Sequence, residues 1–170
     1  MSKAIFLDRD GTVIKDKEYL SSSGEIEFLD DIDTALKIFL NNDFKLIVIT
    51  NQSGVGRGYM KIEDVEAIHT CIQKELLNLS IPITAFYYCP HHVGSLIKRY
   101  NIKCSCRKPS ADLIKRAAKE HDVDLKESFM IGDKESDFLA GKNAGLKNSY
   151  RIDKKHNLLF YANLICNDMD

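Results

Sequence analysis

No apolar run in this 170-residue chain approaches the ~20 residues needed to cross a bilayer, so no membrane partner is expected. Charge of neither sign dominates. A formal net charge of −1 and a pI near 6.5 leave no electrostatic footprint for nucleic acid or an anionic surface. Only the apolar residues Ala4 to Leu7 precede Asp8, too short a stretch for a secretory h-region, and the cytoplasm is the expected location. In that reducing compartment five cysteines point to metal ligands or core residues rather than disulfides. Repeats, linkers and low-complexity segments are lacking. The glycine-rich stretch Asn51 to Gly58 has no Gly-Lys-Ser/Thr, and Tyr59 stands where a dinucleotide fingerprint needs its third glycine. What is present, 44% apolar and 29% charged residues, describes one soluble domain over 1–170, long enough to bury a core.

The most informative stretch is Asp8-Arg9-Asp10-Gly11-Thr12, directly after the apolar run Ala4-Ile5-Phe6-Leu7. That run reads as a buried strand of a parallel sheet. Side chains alternate along a strand, so Asp8 and Asp10 are expected on one side and Arg9 pointing away. Gly11 turns the chain at the strand's carboxyl end, where open α/β sheets bind ligands. Val13 occupies the position where a calcium loop requires glycine. Two converging carboxylates repel unless a cation or proton intervenes, and Mg²⁺ suits one or two carboxylates plus phosphate. A carboxylate so placed can attack a phosphoryl group, and a second can protonate the leaving alcohol.

Further along, Lys15 to Glu25 reads from composition as a solvated loop containing Asp16 and Tyr19. Helical spacing predicts amphipathic helices over about 30–42 and 62–79. His69 within the second has no motif around it and reads as structural or solvated, and Cys71 as a small core residue. Lys45 to Thr50 is a second buried strand, followed by a loop whose Ser53, amide groups and Arg57 suit phosphate oxygens. Ile83 to Tyr88 is a third strand and Ser128 to Gly132 a fourth, with Asp133 at its end. A helix after that strand would put Asp137 on the same side as Asp133. Residues 110–121 read as a helix capped by Ser110, and 147–151 and 161–165 as weak terminal strands.

Between the third strand and that helix lie Cys89-Pro90-His91-His92 and Cys104-Ser105-Cys106. Two such pairs closing a loop over 89–106 form a tetrahedral Cys₃His zinc site, structural because no coordination position is left open. It would fix Arg107 and Lys108 beside it. Spacing alone leaves His91 and His92 as alternatives for the fourth ligand.

In order, Asp8-Arg9-Asp10-Gly11-Thr12, Thr50, Lys108, and Gly132-Asp133 with Asp137 resemble the four motifs of the haloacid dehalogenase (HAD) superfamily. Cys-Pro-His, Cys-x-Cys and Arg-Lys-Pro look like the branch holding D,D-heptose 1,7-bisphosphate phosphatases and histidinol-phosphate phosphatases. The resemblance implies a Rossmann-like three-layer α/β/α domain with a parallel sheet, no large cap and a zinc-binding loop. By the same resemblance Asp8 is the nucleophile and Asp10 the general acid and base. Mg²⁺ is held by the Asp8 carboxylate, the Asp10 backbone carbonyl and Asp133. Thr50 and Lys108 stabilise the phosphoryl group. Asp16, Tyr19, Asn51, Gln52, Ser53, Arg107 and Lys134 match substrate contacts, and the zinc ligands become Cys89, His91, Cys104 and Cys106.

The implied activity is that of a monomeric, Mg²⁺-dependent phosphoric monoester hydrolase with structural Zn²⁺. It removes the 7-phosphate of D-glycero-D-manno-heptose 1,7-bisphosphate, through an aspartyl-phosphate, on the route to lipopolysaccharide. The long loop between the zinc pairs and Arg57-Gly58 resemble the heptose branch. Ile14, where heptose enzymes commonly have Asn, and Ser110-Ala111-Asp112, in place of a Pro-Gly turn, depart from it. Histidinol-phosphate phosphatase is the alternative enzyme, and a non-catalytic zinc-stapled binding module the alternative outside enzymes.

Overall fold

The computed structural model describes residues 1–167. Strands β1 (Lys3–Leu7), β2 (Phe44–Asn51), β3 (Ala85–Cys89), β4 (Phe129–Gly132) and β5 (Asn148–Arg151) form one parallel sheet in the order β3-β2-β1-β4-β5. Helices α1 (Ile32–Asn41), α2 (Ser53–Gly56), α3 (Ile62–Asn78), α4 (Asp112–Glu120), α5 (Glu135–Ala144) and α6 (Leu158–Asn167) connect or follow the strands. Among the described residues no helix is long and apolar enough to cross a membrane.

The layers follow from alternation along the strands. Ile5, Leu7, Leu46, Val48 and Ile131 face one side and pack on Leu36 and Phe39 of α1, Ile68 and Ile72 of α3 and Ala162 of α6. Ala4, Phe6, Ile47, Ile49 and Met130 face the other and pack on Ile114 and Ala117 of α4 and Ala140 of α5. Sheet residues between two helical layers must be apolar on both sides, which is why β1 and β2 read as unbroken hydrophobic runs. Each such aliphatic side chain contributes roughly 1.5–3 kcal/mol by leaving water.

Several boundaries differ from expectation. Residues 161–165 lie in helix α6, not in a strand. Leu158, Tyr161, Ala162, Ile165 and Cys166 are the buried residues of that helix, a spacing of three and four rather than two, and Asn157 caps it by accepting from the Phe160 N–H at 2.9 Å. The third strand begins at Ala85 because the Ile83 N–H is engaged by the Gln73 side chain at 3.2 Å. Ser110 does not cap α4. That helix starts at Asp112, whose own N–H reaches the Ser110 hydroxyl at 3.4 Å. Cys71 is only half-buried, whereas His69 is buried.

For the site, the strand order matters most. β1 lies between β2 and β4, and Leu7 pairs with both Val48 and Ile131. The carboxyl ends of these three strands therefore deliver Asp8, Thr50 and Asp133 to one place, at the switch point of the sheet.

Candidate active site

Asp8 leaves β1 with its N–H on the Ile131 carbonyl at 3.0 Å, still in the sheet's hydrogen-bond ladder. Its side chain is buried and so must find a partner. Lys108, 3% exposed, supplies it: the ammonium donates to Asp8 Oδ1 and to the Ile49 carbonyl, each at 2.6 Å, and pairs with Asp137 at 2.7 Å. Burial would pull the lysine pKa down, but Asp8 and Asp137 together lift it above its usual value and keep it charged. Asp137 in turn accepts from the Lys134 N–H at 2.9 Å, capping the first turn of α5.

Asp133 stands opposite. Burial first, and then the charge of Asp8, push its carboxyl up to about 6, and burial likewise raises Asp8. Asp133 Oδ1 is buried with no hydrogen-bond partner among the described residues. One oxygen each from Asp8, Asp133 and Asp137 lie within 4.8 Å of one another. Three carboxylates facing two ammonium groups, Lys108 and Lys134, still leave an excess of negative charge, and the orphaned Asp133 oxygen has a place for a partner. That donor set suits a hard divalent cation such as Mg²⁺. Gly11 (φ +83°) admits this approach, since a Cβ there would collide with the Asp133 carboxylate.

Asp10 is held differently, and here Arg9 departs from strand alternation: it is not directed away from the site. Its side chain, 1% exposed, folds back so that Nε and Nη2 contact both oxygens of Asp10 at 3.0–3.2 Å. Gln52 closes the group, accepting from Arg9 Nη2 at 3.0 Å and donating to Asp10 Oδ2 and Thr50 Oγ1 at 2.8 Å. Asn51 brackets Lys108 instead, donating to its carbonyl at 3.1 Å and accepting from its N–H at 3.0 Å. Both amides are thus engaged in holding other site residues.

Two adjoining cavities result. The inner, of about 30 Å³, is lined by Asp8, Asp10, Thr50, Asn51, Lys108, Lys134, Ser136 and Asp137. The outer, of about 200 Å³, is lined by Asp10, Asp16, Tyr19, Asn51, Gln52, Ser53 and Lys134, with Arg9 at its floor. The 15–25 loop is therefore more than a solvated excursion. Asp16 pairs with Lys134 at 3.2 Å, and Tyr19 packs on Tyr59 with ring centroids 4.7 Å apart. Arg107 lines neither cavity, and its guanidinium donates to the His91 carbonyl at 3.3 Å. Arg9 and Ser136 are site residues that the sequence patterns do not single out. Ser136 carries no signal, whereas Arg9 has one, as a cation fixed between two acids.

Beyond β3, the Cys89, Cys104 and Cys106 sulfurs are 3.1–3.5 Å apart, with His91 Nδ1 at 3.3 Å from Cys106 and 3.7 Å from Cys89. All four ligand atoms fall within 4.8 Å, as a tetrahedral Cys₃His zinc site requires. His92 lies outside that cluster, with Nε2 at 2.9 Å from Arg57. Geometry thus separates the two histidines.

A family model described as HAD-hydrolase-like matches residues 105–149, the segment that carries Lys108, Asp133 and Asp137. The chain is 44% identical over 149 residues to the D-glycero-beta-D-manno-heptose-1,7-bisphosphate 7-phosphatase of Helicobacter pylori, covering 87% of this chain and 82% of that protein. It is 40% identical over 145 residues to the D-glycero-alpha-D-manno-heptose-1,7-bisphosphate 7-phosphatase of Campylobacter jejuni, covering 85% and 79%. Among solved structures, the D,D-heptose 1,7-bisphosphate phosphatase of B. bronchiseptica, complexed with magnesium and phosphate, matches with a TM-score of 0.80 at 26% identity, over 98% of this chain and 99% of that one. The chain belongs to the haloacid dehalogenase-like hydrolases, in the family of the heptose-1,7-bisphosphate 7-phosphatases.

Proposed function

We propose that this hydrolase removes the 7-phosphate of D-glycero-D-manno-heptose 1,7-bisphosphate, acting as a single-domain monomer in the cytoplasm. The observation that carries the reading is the convergence of Asp8, Lys108, Asp133 and Asp137 beside a cavity lined by Asp10 and Lys134.

In the first step an Asp8 carboxylate oxygen bonds to phosphorus. The bond from phosphorus to the sugar oxygen breaks, and a proton from Asp10 passes to that oxygen. In the second, a water oxygen attacks phosphorus, its proton passes to Asp10, and the bond to Asp8 breaks. Asp8 and Asp10 are thereby restored, and phosphate leaves. Thr50 and Lys108 donate to the phosphoryl oxygens, whose charge grows as the group transfers. Asp137 keeps Lys108 charged for that purpose. Mg²⁺ held by Asp8, Asp133 and the Asp10 carbonyl would supply positive charge against the same oxygens. Asp16, Tyr19, Asn51, Gln52, Ser53 and Lys134 would bound the sugar, and Arg107 would reach it only by leaving the His91 carbonyl. Zn²⁺ on Cys89, His91, Cys104 and Cys106 would stiffen the loop that leads into Arg107 and Lys108.

The test is phosphate release with Mg²⁺ from both heptose 1,7-bisphosphate anomers, histidinol phosphate and fructose 1,6-bisphosphate. One heptose anomer should be preferred by at least about tenfold in kcat/KM, equivalent to ~1.4 kcal/mol of transition-state binding. A preference for histidinol phosphate would replace the substrate while keeping the chemistry. Asp8→Asn should abolish turnover with the circular dichroism spectrum unchanged, and retained turnover would remove Asp8 as nucleophile.

A further inference from the structure

Behind the acid–base carboxylate lies a second tier of side chains that the reaction does not touch. Arg9 contacts Asp10 through Nε and Nη2, which leaves Nη1. That nitrogen faces His69 Nε2 at 3.2 Å, from α3, sixty residues further along the chain. A guanidinium has donors only, so Nε2 must accept and the ring proton must sit on Nδ1. A protonated imidazole would set two cations against each other. The surroundings forbid it: His69 is buried, stacks on Phe86 with centroids 4.7 Å apart at 17°, and meets the edge of Tyr88 at 5.7 Å. Burial and then Arg9 hold its pKa down at about 3, so the ring stays neutral across the working range.

Without that acceptor the buried Nη1 would lose its partner, and a guanidinium can swing about its long stem to find another. Its Nε and Nη2 would then leave the fork geometry that holds both oxygens of Asp10. We infer that His69 is a positioning residue: as a neutral acceptor it fixes Arg9, and through Arg9 it aims the Asp10 carboxylate at the reacting oxygen. The inference rests on Asp10 being the acid and base of the proposed phosphatase reaction.

Two substitutions separate this role from simple packing. His69→Phe keeps the stack on Phe86 and removes the acceptor, while His69→Gln restores an acceptor oxygen. The assay uses p-nitrophenyl phosphate with Mg²⁺ in rapid-mixing experiments. Its p-nitrophenolate leaves without protonation, so phosphoryl transfer to Asp8 does not need Asp10, whereas the later attack by water does. His69→Phe should therefore give a stoichiometric p-nitrophenolate burst at a rate within twofold of the parent. The steady-state rate after it should fall about tenfold, a fraction of what general acid–base catalysis supplies. KM should stay within twofold, and His69→Gln should recover most of the steady-state rate.

A burst slowed in parallel with the steady state would show a general structural role, and no change in either would show none. Both results overturn the inference. Asp10→Asn in the same assay tests the underlying reading separately: it should give the burst and lose the steady state. If it keeps the steady state, the acid–base assignment itself fails. Should His69→Phe not fold, long-range ¹⁵N–¹H NMR of the unaltered protein at pH 7 decides the matter. A neutral Nδ1–H ring for His69 is expected, and an Nε2–H or doubly protonated ring overturns the proposal.

Discussion

Lys108 shows how much a single buried charge carries. Its ammonium is the counterion of two carboxylates, and it reaches no solvent that could replace them. Lys108→Met should leave Asp8 and Asp137 facing each other uncompensated. By comparison with other broken buried pairs, the loss is about 3–5 kcal/mol, read from urea unfolding in the absence of divalent metal. Added Mg²⁺ should restore part of it by returning positive charge to the cluster. His69 gives the opposite case, a group kept uncharged. Its folded pKa near 3 lies below the ordinary 6.5, so between those values the unfolded chain binds a proton that the folded chain refuses. Stability from this residue is fully present above pH 6.5 and declines as pH falls towards 3, by at most ~1.4 kcal/mol per pH unit. Thermal unfolding of the parent should thus fall more steeply than that of His69→Phe from pH 6 to 4, and parallel curves would contradict the burial of a neutral ring. Asp8, Thr50, Lys108 and Asp133 are legible in the sequence because each stands where an apolar run ends or beside a recognisable motif. The direction of Arg9 and the role of His69 are not. Strand alternation turns Arg9 outward, whereas a long side chain can fold back across its own backbone, and His69 meets it only after the chain has closed on itself.

Among elements, the loop over 89–106 is the one whose order depends on something other than its own packing. Val93, Leu96, Ile97 and Ile102 are exposed along it, which leaves Tyr100, packed with Val55, Met60 and Val65, as its apolar anchor between the ligand pairs. Beyond that anchor, zinc on the Cys₃His cluster would order it, together with junctions to the rest of the chain such as the Ile97 N–H on the Gly56 carbonyl at 3.0 Å. Cys104→Ser should lower the zinc content of the purified protein, which metal analysis measures directly. It should raise hydrogen exchange across 89–108 while leaving β1, β2 and β4 protected. Turnover should fall with it, because the same segment carries Lys108 to Asp8. The three cysteines of the loop are readable from their spacing, since metal geometry is local and stereotyped, but the choice between His91 and His92 is not. Helix α6 is not, although its buried residues recur at helical intervals. A short apolar stretch near the end of a chain satisfies both periods, and what decides is the face of α1 on which it packs.

The molecule as a whole is an alternation of strands and helices, and that alternation makes the layered parallel sheet readable from hydrophobic runs alone. What runs cannot supply is the order of strands, which requires knowing that β1 lies between β2 and β4. The order also sets the folding problem. Leu7 pairs with Ile131 across most of the sequence, so the central ladder is built from distant partners. Refolding from urea, followed by circular dichroism, should accordingly run on the millisecond-to-second scale of high-contact-order domains rather than in microseconds. The same pairing bears on synthesis at the ribosome. Lys3–Leu7 is made well before its partner, and one side of it has no neighbour until Phe129–Gly132 has been made. Until then the nascent chain carries an open apolar strand edge, the kind of surface on which chains pair wrongly. The residue that would begin the chemistry is thus synthesised long before the strand that sets it in place.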